Sequence, residues 1–518
     1  MISLRSRYIL IPLLLSIATL GLLSLRLGNP LSSSPPPPPP PPADEKPPIR
    51  YKPKASPPPP PLPEYFPLAA SASSHADIPP VPSWNKPPSP HVPEHTRLFI
   101  GFTRFWPLLQ QAVVAYIAAG WPPEDVYVIE NTGTFDSNKK GLLTSQNPFY
   151  LDHKRLTDTF GVNVITMPSL QTFAQLQNFY LSEALNHNLS YYFWGHMDVV
   201  PLSHEDMPGE YKSLYQLAVE KIRECTAEDY QKDPATGEKA PWAIQFFAYD
   251  WLALVNAESF AKIGGWDSMV GYYGTDCDMH GRIGMNGMTM PVADAGDVFD
   301  VDTSMDDLEL LFRRKKKRVP SSVKRAKEED AQAKDDAKGS AGSGSGSGSV
   351  DGSGSHAESE SSNSTSSKAS SGSSKSSADD AESSDPSSSS KTSPPFEGAM
   401  THGANSKSDK PFTKEIKAYL EETEEDERGG PGFVALKEKL QSMQKDKQTS
   451  PERNSWQKKQ RGGEGEPFYY DPDGWEKALQ MTIEAGLKIN EEKWGHRGCD
   501  LRAAGFKEGD QWKVEHDW

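Results

Sequence analysis

Two separated stretches of this chain hold the residue types that could do chemistry. One is Tyr191-Tyr192-Phe193-Trp194-Gly195-His196-Met197-Asp198, an aromatic run that closes on a histidine and an aspartate two positions apart. Alternate residues of an extended segment face the same side, so His196 and Asp198 can reach one point in space. An imidazole and a carboxylate there suit Mg2+ or Mn2+, which favour oxygen ligands and accept an occasional imidazole. The other stretch is Ile263-Gly264-Gly265-Trp266-Asp267, followed by Tyr272-Tyr273-Gly274-Thr275-Asp276-Cys277-Asp278. A carboxylate opening a helix at Asp276 could take a proton from a hydroxyl group. Helix capping alone would explain one of the two acids. It would not explain the glycines and aromatics before them.

The elements that must position these residues alternate between strand and helix from Arg97 onward. Residues 98–103 form a compact apolar run fit for a buried parallel strand. Leu109, Val113, Tyr116 and Ile117 then recur at helical spacing, ended by Gly120 and Pro122-Pro123. Residues 126–129, 162–167 and 191–194 read as the next strands. Between the last two, Phe173, Leu176, Tyr180, Leu181 and Leu185 mark one face of a helix. Further strands are expected over 243–248, 252–255, 288–292 and 298–301, and a helix with Asp473 as N-cap carries Trp475, Leu479, Ile483 and Leu487. This order predicts an α/β fold, a mixed, mainly parallel sheet flanked by helices. Ligands of such sheets sit at the carboxyl ends of the strands.

Composition limits how much of the 518 residues can fold. Residues 31–95 are dominated by proline, with an unbroken run over 35–42, and residues 326–410 are mostly Ser, Gly, Asp, Glu and Lys. Such tracts bury too little apolar surface to offset the entropy of ordering the backbone. The domains expected are a cytoplasmic tail over 1–7, an anchor over 8–25 and a proline-rich stem over 26–96. A first part of the folded domain covers 97–325, a mostly disordered insertion 326–466, and the remainder of the domain 467–518. An acidic piece of the insertion, 421–427, is read as a charged helix. A net charge of −16 argues against a nucleic-acid partner. The basic run Arg313-Arg314-Lys315-Lys316-Lys317-Arg318 is read as a solvated charge run. Three cysteines, Cys225, Cys277 and Cys499, permit one disulfide without saying which pair forms it.

Residues 8–25 are apolar, with Arg5 and Arg7 before them and Arg26 after. Eighteen residues of this kind can cross a thin bilayer, and the basic N-terminal flank orients the bulk of the chain to the lumen. A cleaved signal peptide is the competing reading. Beyond the anchor lie two sequons, at Asn188 and Asn363.

The His196–Asp198 segment resembles the DxD region of GT-A glycosyltransferases, with His in the first position. The stretch from Gly264 to Asp278 resembles the galactosyltransferase-type loop that carries an aromatic acceptor platform and then an acidic pair. Anchor, spacer and these segments together resemble fungal type II Golgi membrane glycosyltransferase-like proteins. The resemblance implies a GT-A fold and metal-dependent, inverting transfer from a nucleotide-sugar donor to a glycan or protein acceptor. It implies Asp276 as general base with Asp278 in support, and Mn2+ or Mg2+ held by His196, Asp198 and His496. It further implies donor contacts from Thr103, Glu130 and Asn131 at strand ends, and an acceptor platform at Trp266. The alternative of another class is a non-catalytic membrane-tethered scaffold or cell-wall-binding protein. A metal-dependent hydrolase would need the H-x-H or H-E-x-x-H pattern that the chain lacks.

Overall fold

The sheet forms around short runs that are apolar on both sides. Strand β1 (Leu98–Phe102) sends Leu98, Ile100 and Phe102 to one face and Phe99 to the other, and all four are fully buried. Strands β2 (Val126–Glu130), β3 (Asn163–Thr166) and β4 (Tyr191–Gly195) join it in parallel. Strand β7 (Leu252–Asn256) runs antiparallel to β4, and β6 (Ile244–Phe246) antiparallel to β7. The order is β3-β2-β1-β4-β7-β6, a mixed and mostly parallel sheet. The computed structural model describes residues 49–51, 62–87, 94–232, 236–237, 240–317, 414–451, 466 and 472–518. Contacts divide the chain at Pro57. Of the first unit only the exposed residues 49–51 are described; the sheet and its helices belong to the second.

Helices cover both faces. Helix α1 (Trp106–Ala118) is buried at all thirteen positions, as its nearly polar-free sequence requires, and packs against strand β5 (Val199–Leu202). Helix α2 (Phe173–Asn186) covers the other face and opens with a capping box between Thr172 and Gln175. Helix α3 (Leu214–Thr226) starts the same way at Ser213 and Gln216. Strand β5 pairs antiparallel with β8 (Asp297–Asp300). At the end of β4, a Cβ on Gly195 would lie 2.6 Å from the Tyr116 hydroxyl, so a side chain there would push α1 off the sheet. Helix α4 (Ala257–Lys262) follows β7, and α5 (Thr275–Met285) carries the acidic pair. Residues 288–292 form no strand; Thr289 and Val292 make isolated bridges to Trp242 and Phe246.

Two tracts fold where composition suggested none. Residues 62–87, assigned to the stem, dock on the domain through Phe66, whose ring lies 6.2 Å from Phe160 and 5.8 Å from Phe312. Phe66, Ala69 and Ile78 are buried in the core although the stretch shows no periodic apolar pattern. Within the insertion, α6 (Lys414–Glu422) is followed by β10 (Thr423–Glu425) and α7 (Pro431–Thr449). The acidic piece is thus half strand. It pairs antiparallel with β9 (Arg314–Lys316) from the basic run, setting Glu425 opposite Arg314 and Glu424 opposite Lys315. Opposite charges across adjacent strands favour the ladder, so the basic run is not simply solvated. Helix α8 (Pro472–Trp494) agrees with the expected C-terminal helix.

The anchor over 8–25, the sequon at Asn363 and the low-complexity core of the insertion lie outside the described residues. Among the described residues no helix is long and apolar enough to cross a membrane. Asn188 lies exposed in the turn between α2 and β4.

Candidate active site

Beyond the tip of β4 the backbone of His196 still bonds to Trp251, and Asp198 follows in the turn into β5. His196 Nδ1 stands 3.7 Å from Asp198 Oδ1, and His196 Nε2 stands 3.9 Å from Asp250 Oδ2. The other oxygen of Asp198 is already engaged. Lys447, near the end of α7, places its Nζ 2.7 Å from Asp198 Oδ2 and 2.5 Å from Asp300 Oδ1, and is 1% exposed. Burial alone would raise the Asp198 carboxyl, but the Lys447 ammonium and the His196 ring outweigh it and hold it below the usual carboxylate range.

These residues do not present a divalent-cation site as they stand. An ammonium fills the space between the Asp198 and Asp300 carboxylates, and no three His, Cys, Asp or Glu among the described residues are placed to hold an ion. The expected third ligand, His496, is committed elsewhere. Its Nδ1 meets Asp517 Oδ2 at 2.5 Å and its Nε2 meets Asp500 Oδ1 at 2.8 Å. Hydrogen bonds to Asp517 and Asp500 raise its pKa, favouring an imidazolium, which cannot ligate a metal.

The acidic pair divides. Gly274 takes φ +85° at the mouth of α5, a left-handed turn that suits glycine. Asp276 is half-exposed, and Tyr249 donates to its Oδ2 at 3.3 Å. Tyr249 itself has φ 49°, an uncommon conformation for a bulky residue, and its neighbour Asp250 is the one that approaches His196. Burial lowers the pKa of His280, one turn along α5, against the opposing pull of Asp276 and Asp250. Strand tip, Asp250 and Asp276 therefore face one side of the molecule.

Asp278 is fully buried instead. It accepts from Lys493 at 2.5 Å, Trp494 at 3.0 Å and Arg282 at 2.9 Å. With Lys493 also bound to Asp267 at 2.7 Å, this network ties α5 to α8 and leaves Asp278 no free oxygen for a substrate. Cys277 bonds to Cys499, and Cys225, outside the bridge, is buried. Trp266 is 5% exposed, packed edge-on against Phe173 at 5.5 Å. Such a ring belongs to the core and offers no platform. The exposed aromatics beside Asp276 are Tyr249 and Tyr273.

A cleft of about 250 Å3 opens at the carboxyl ends of β1, β2 and β4. Thr103, Asn131, His196 and Asp198 line it, with Phe173, Tyr272, Trp475 and Arg104 around them. Asn131 is tied to Gln171 through both ends of its amide, at 2.9 and 2.7 Å. Glu130 is not a lining residue. It is fully buried and bonded to Asn138, His153, Thr166 and Thr132, which consumes its acceptor capacity inside the fold.

Arg104 was open to detection by the rule that selected Thr103, since it too follows β1. Asp250 closes the segment after β6 and was equally detectable. Lys447 was not, because it reaches Asp198 across 249 positions of sequence.

No family model matches the chain, and no curated protein matches it. Among solved structures it is similar to the mannosyltransferase PcManGT of Pyrobaculum calidifontis in complex with GDP-Man and Mn2+. That match has 14% identity and a TM-score of 0.26, over 41% of this chain and 58% of the other. A second is the catalytic domain of Drosophila β1,4-galactosyltransferase 7 with xylobiose, at 14% identity and a TM-score of 0.21, over 39% and 66%. A mutant of that Drosophila enzyme with manganese, UDP-Gal and xylobiose matches at 13% identity and a TM-score of 0.18, over 38% and 65%. The chain thus spans less than two thirds of the length of each.

Proposed function

We propose that the chain is a glycosyltransferase of GT-A type, moving a sugar from a nucleotide-sugar to an acceptor hydroxyl with inversion at the anomeric carbon. The observation that carries this reading is the continuity from His196 through Asp250 and Tyr249 to Asp276. It gives one open face both a strand-end pocket for a donor and a half-exposed carboxylate for a proton. Asp276 accepts the hydroxyl proton as the acceptor oxygen bonds to the anomeric carbon. The carbon–oxygen bond to the diphosphate breaks on the opposite side, and its electron pair leaves with the diphosphate. Asp198, held ionised by Lys447 at Oδ2, lines the cleft, where its carboxylate can accept hydrogen bonds from the donor's hydroxyls. Aromatic walls at Phe173, Tyr272 and Trp475 suit the faces of a base and a sugar. The Cys277–Cys499 bridge favours an oxidising compartment, in keeping with a Golgi-luminal domain behind a type II anchor.

The test is thermal stabilisation of the full chain by a panel of nucleotide-sugars against the free sugars. A ligand at about 100 times its dissociation constant contributes about 2.7 kcal/mol, a rise of several degrees. At least one nucleotide-sugar should produce that rise, equally in Asp276→Asn. A flat panel, or loss of the rise in Asp276→Asn, would overturn the assignment of donor pocket and base.

A further inference from the structure

We infer that Arg104 is the anion-binding residue of the cleft, holding the diphosphate of the donor directly, with no divalent cation between them. This rests on the transferase reading. Arg104 is 5% exposed, yet among the described residues it makes no hydrogen bond and no ion pair; its guanidinium lies over the Trp475 ring at 5.1 Å. Glu476 and Tyr272 act on it only through space. Burial lowers its pKa to about 10, which leaves it charged at neutral pH. A buried cation whose acidic neighbour, Glu476, makes no ion pair with it is costly, and this one borders an open cleft, so an anionic ligand would relieve it.

Three further observations point the same way. Arg104 is the one lysine or arginine among the lining residues described. The other cation near the strand tips, Lys447, is consumed by Asp198 and Asp300 and does not line the cleft. The residue after Arg104, Phe105, takes φ 75°, a conformation unfavourable for a residue with a Cβ, and turns the chain sharply from β1 into α1. A planar guanidinium held over an indole ring is restricted in advance, and its donors match two phosphate oxygens at once. As the sugar departs, the diphosphate gains charge, and this contact strengthens with it.

The experiment titrates the full chain in EDTA with inorganic pyrophosphate, a nucleoside diphosphate and the matching nucleoside. Wild type should bind the first two. Arg104→Met should weaken both at least about tenfold and leave the nucleoside unchanged, and Arg104→Lys should fall between. Should Arg104→Met fail to fold, judged by its unliganded melt, Arg104→Gln carries the same comparison. Unchanged pyrophosphate affinity in the variant, or wild-type binding that vanishes in EDTA and returns with Mn2+, would overturn the inference. Nucleotide-sugar binding insensitive to Arg104 would remove this site and leave the transferase reading standing. Arg104-dependent pyrophosphate binding without any nucleotide-sugar binding would do the reverse.

Discussion

Asp276 and Asp278 sit two positions apart, and their surroundings assign them opposite work. Asp278 has an ammonium, a guanidinium and an indole N–H on its carboxylate, all buried. Removing its charge leaves the buried Arg282 without a carboxylate and Lys493 with Asp267 alone, a loss of about 3–5 kcal/mol. Asp278→Asn should therefore lower the melting temperature by on the order of 10 °C, whereas Asp276→Asn should move it little. Paired thermal melts check this; an unshifted melt for Asp278→Asn would return it to the chemistry. The acidic pair itself was legible in the sequence, because helix-opening acids after glycine have a recognisable pattern. The division of labour was not, since Lys493 and Trp494 arrive from 215 and 216 positions away. Trp266 misled for a related reason: a tryptophan beside glycines reads the same whether its ring faces a ligand or Phe173.

Helices α5 and α8 are the pair that makes the site a single unit. Lys493 and Trp494 at the end of α8 fix the first turn of α5, and the disulfide closes the same junction from Cys277 to Cys499. Trp475 at the other end of α8 reaches the cleft. A bridge spanning 222 residues removes much unfolded-state freedom, on the order of 5 kcal/mol in the chain-entropy account. Cys277→Ser, Cys499→Ser and the double variant should melt together, well below oxidised wild type, and reductant should bring wild type down to them. Singles that melt like wild type, or apart from one another, would show that the bridge contributes nothing. The 3.6-residue period of α8 was legible because its stripe is long. The pairing of Cys277 with Cys499 was not, as three cysteines allow three alternative pairings for one bridge.

Across the whole molecule, what the sequence shows depends on how local the cause is. The strands are legible because runs such as Leu98-Phe99-Ile100 and Tyr192-Phe193-Trp194 are buried on both faces and need no partner to be recognised. The antiparallel β7 was not distinguishable from a parallel strand by its residues. Averaged composition hid the two docked tracts. Phe66 and Ile78 are too few to change the character of a proline-rich stretch, and α7 follows a long low-complexity tract while burying Phe433, Leu436, Leu440 and Lys447. Lys447 is also what separates the strand-tip motif from a ready cation site.

A donor pocket and a proton acceptor linked to it through Asp250 and Tyr249 are the heart of the proposed chemistry. The most direct measurement is release of nucleoside diphosphate from a nucleotide-sugar by the full chain, with and without an acceptor glycan, for wild type and Asp276→Asn. Acceptor-dependent release that falls about 10²–10⁴-fold in the variant is the predicted result. Equal release from both proteins, or none from either with any donor, would contradict it.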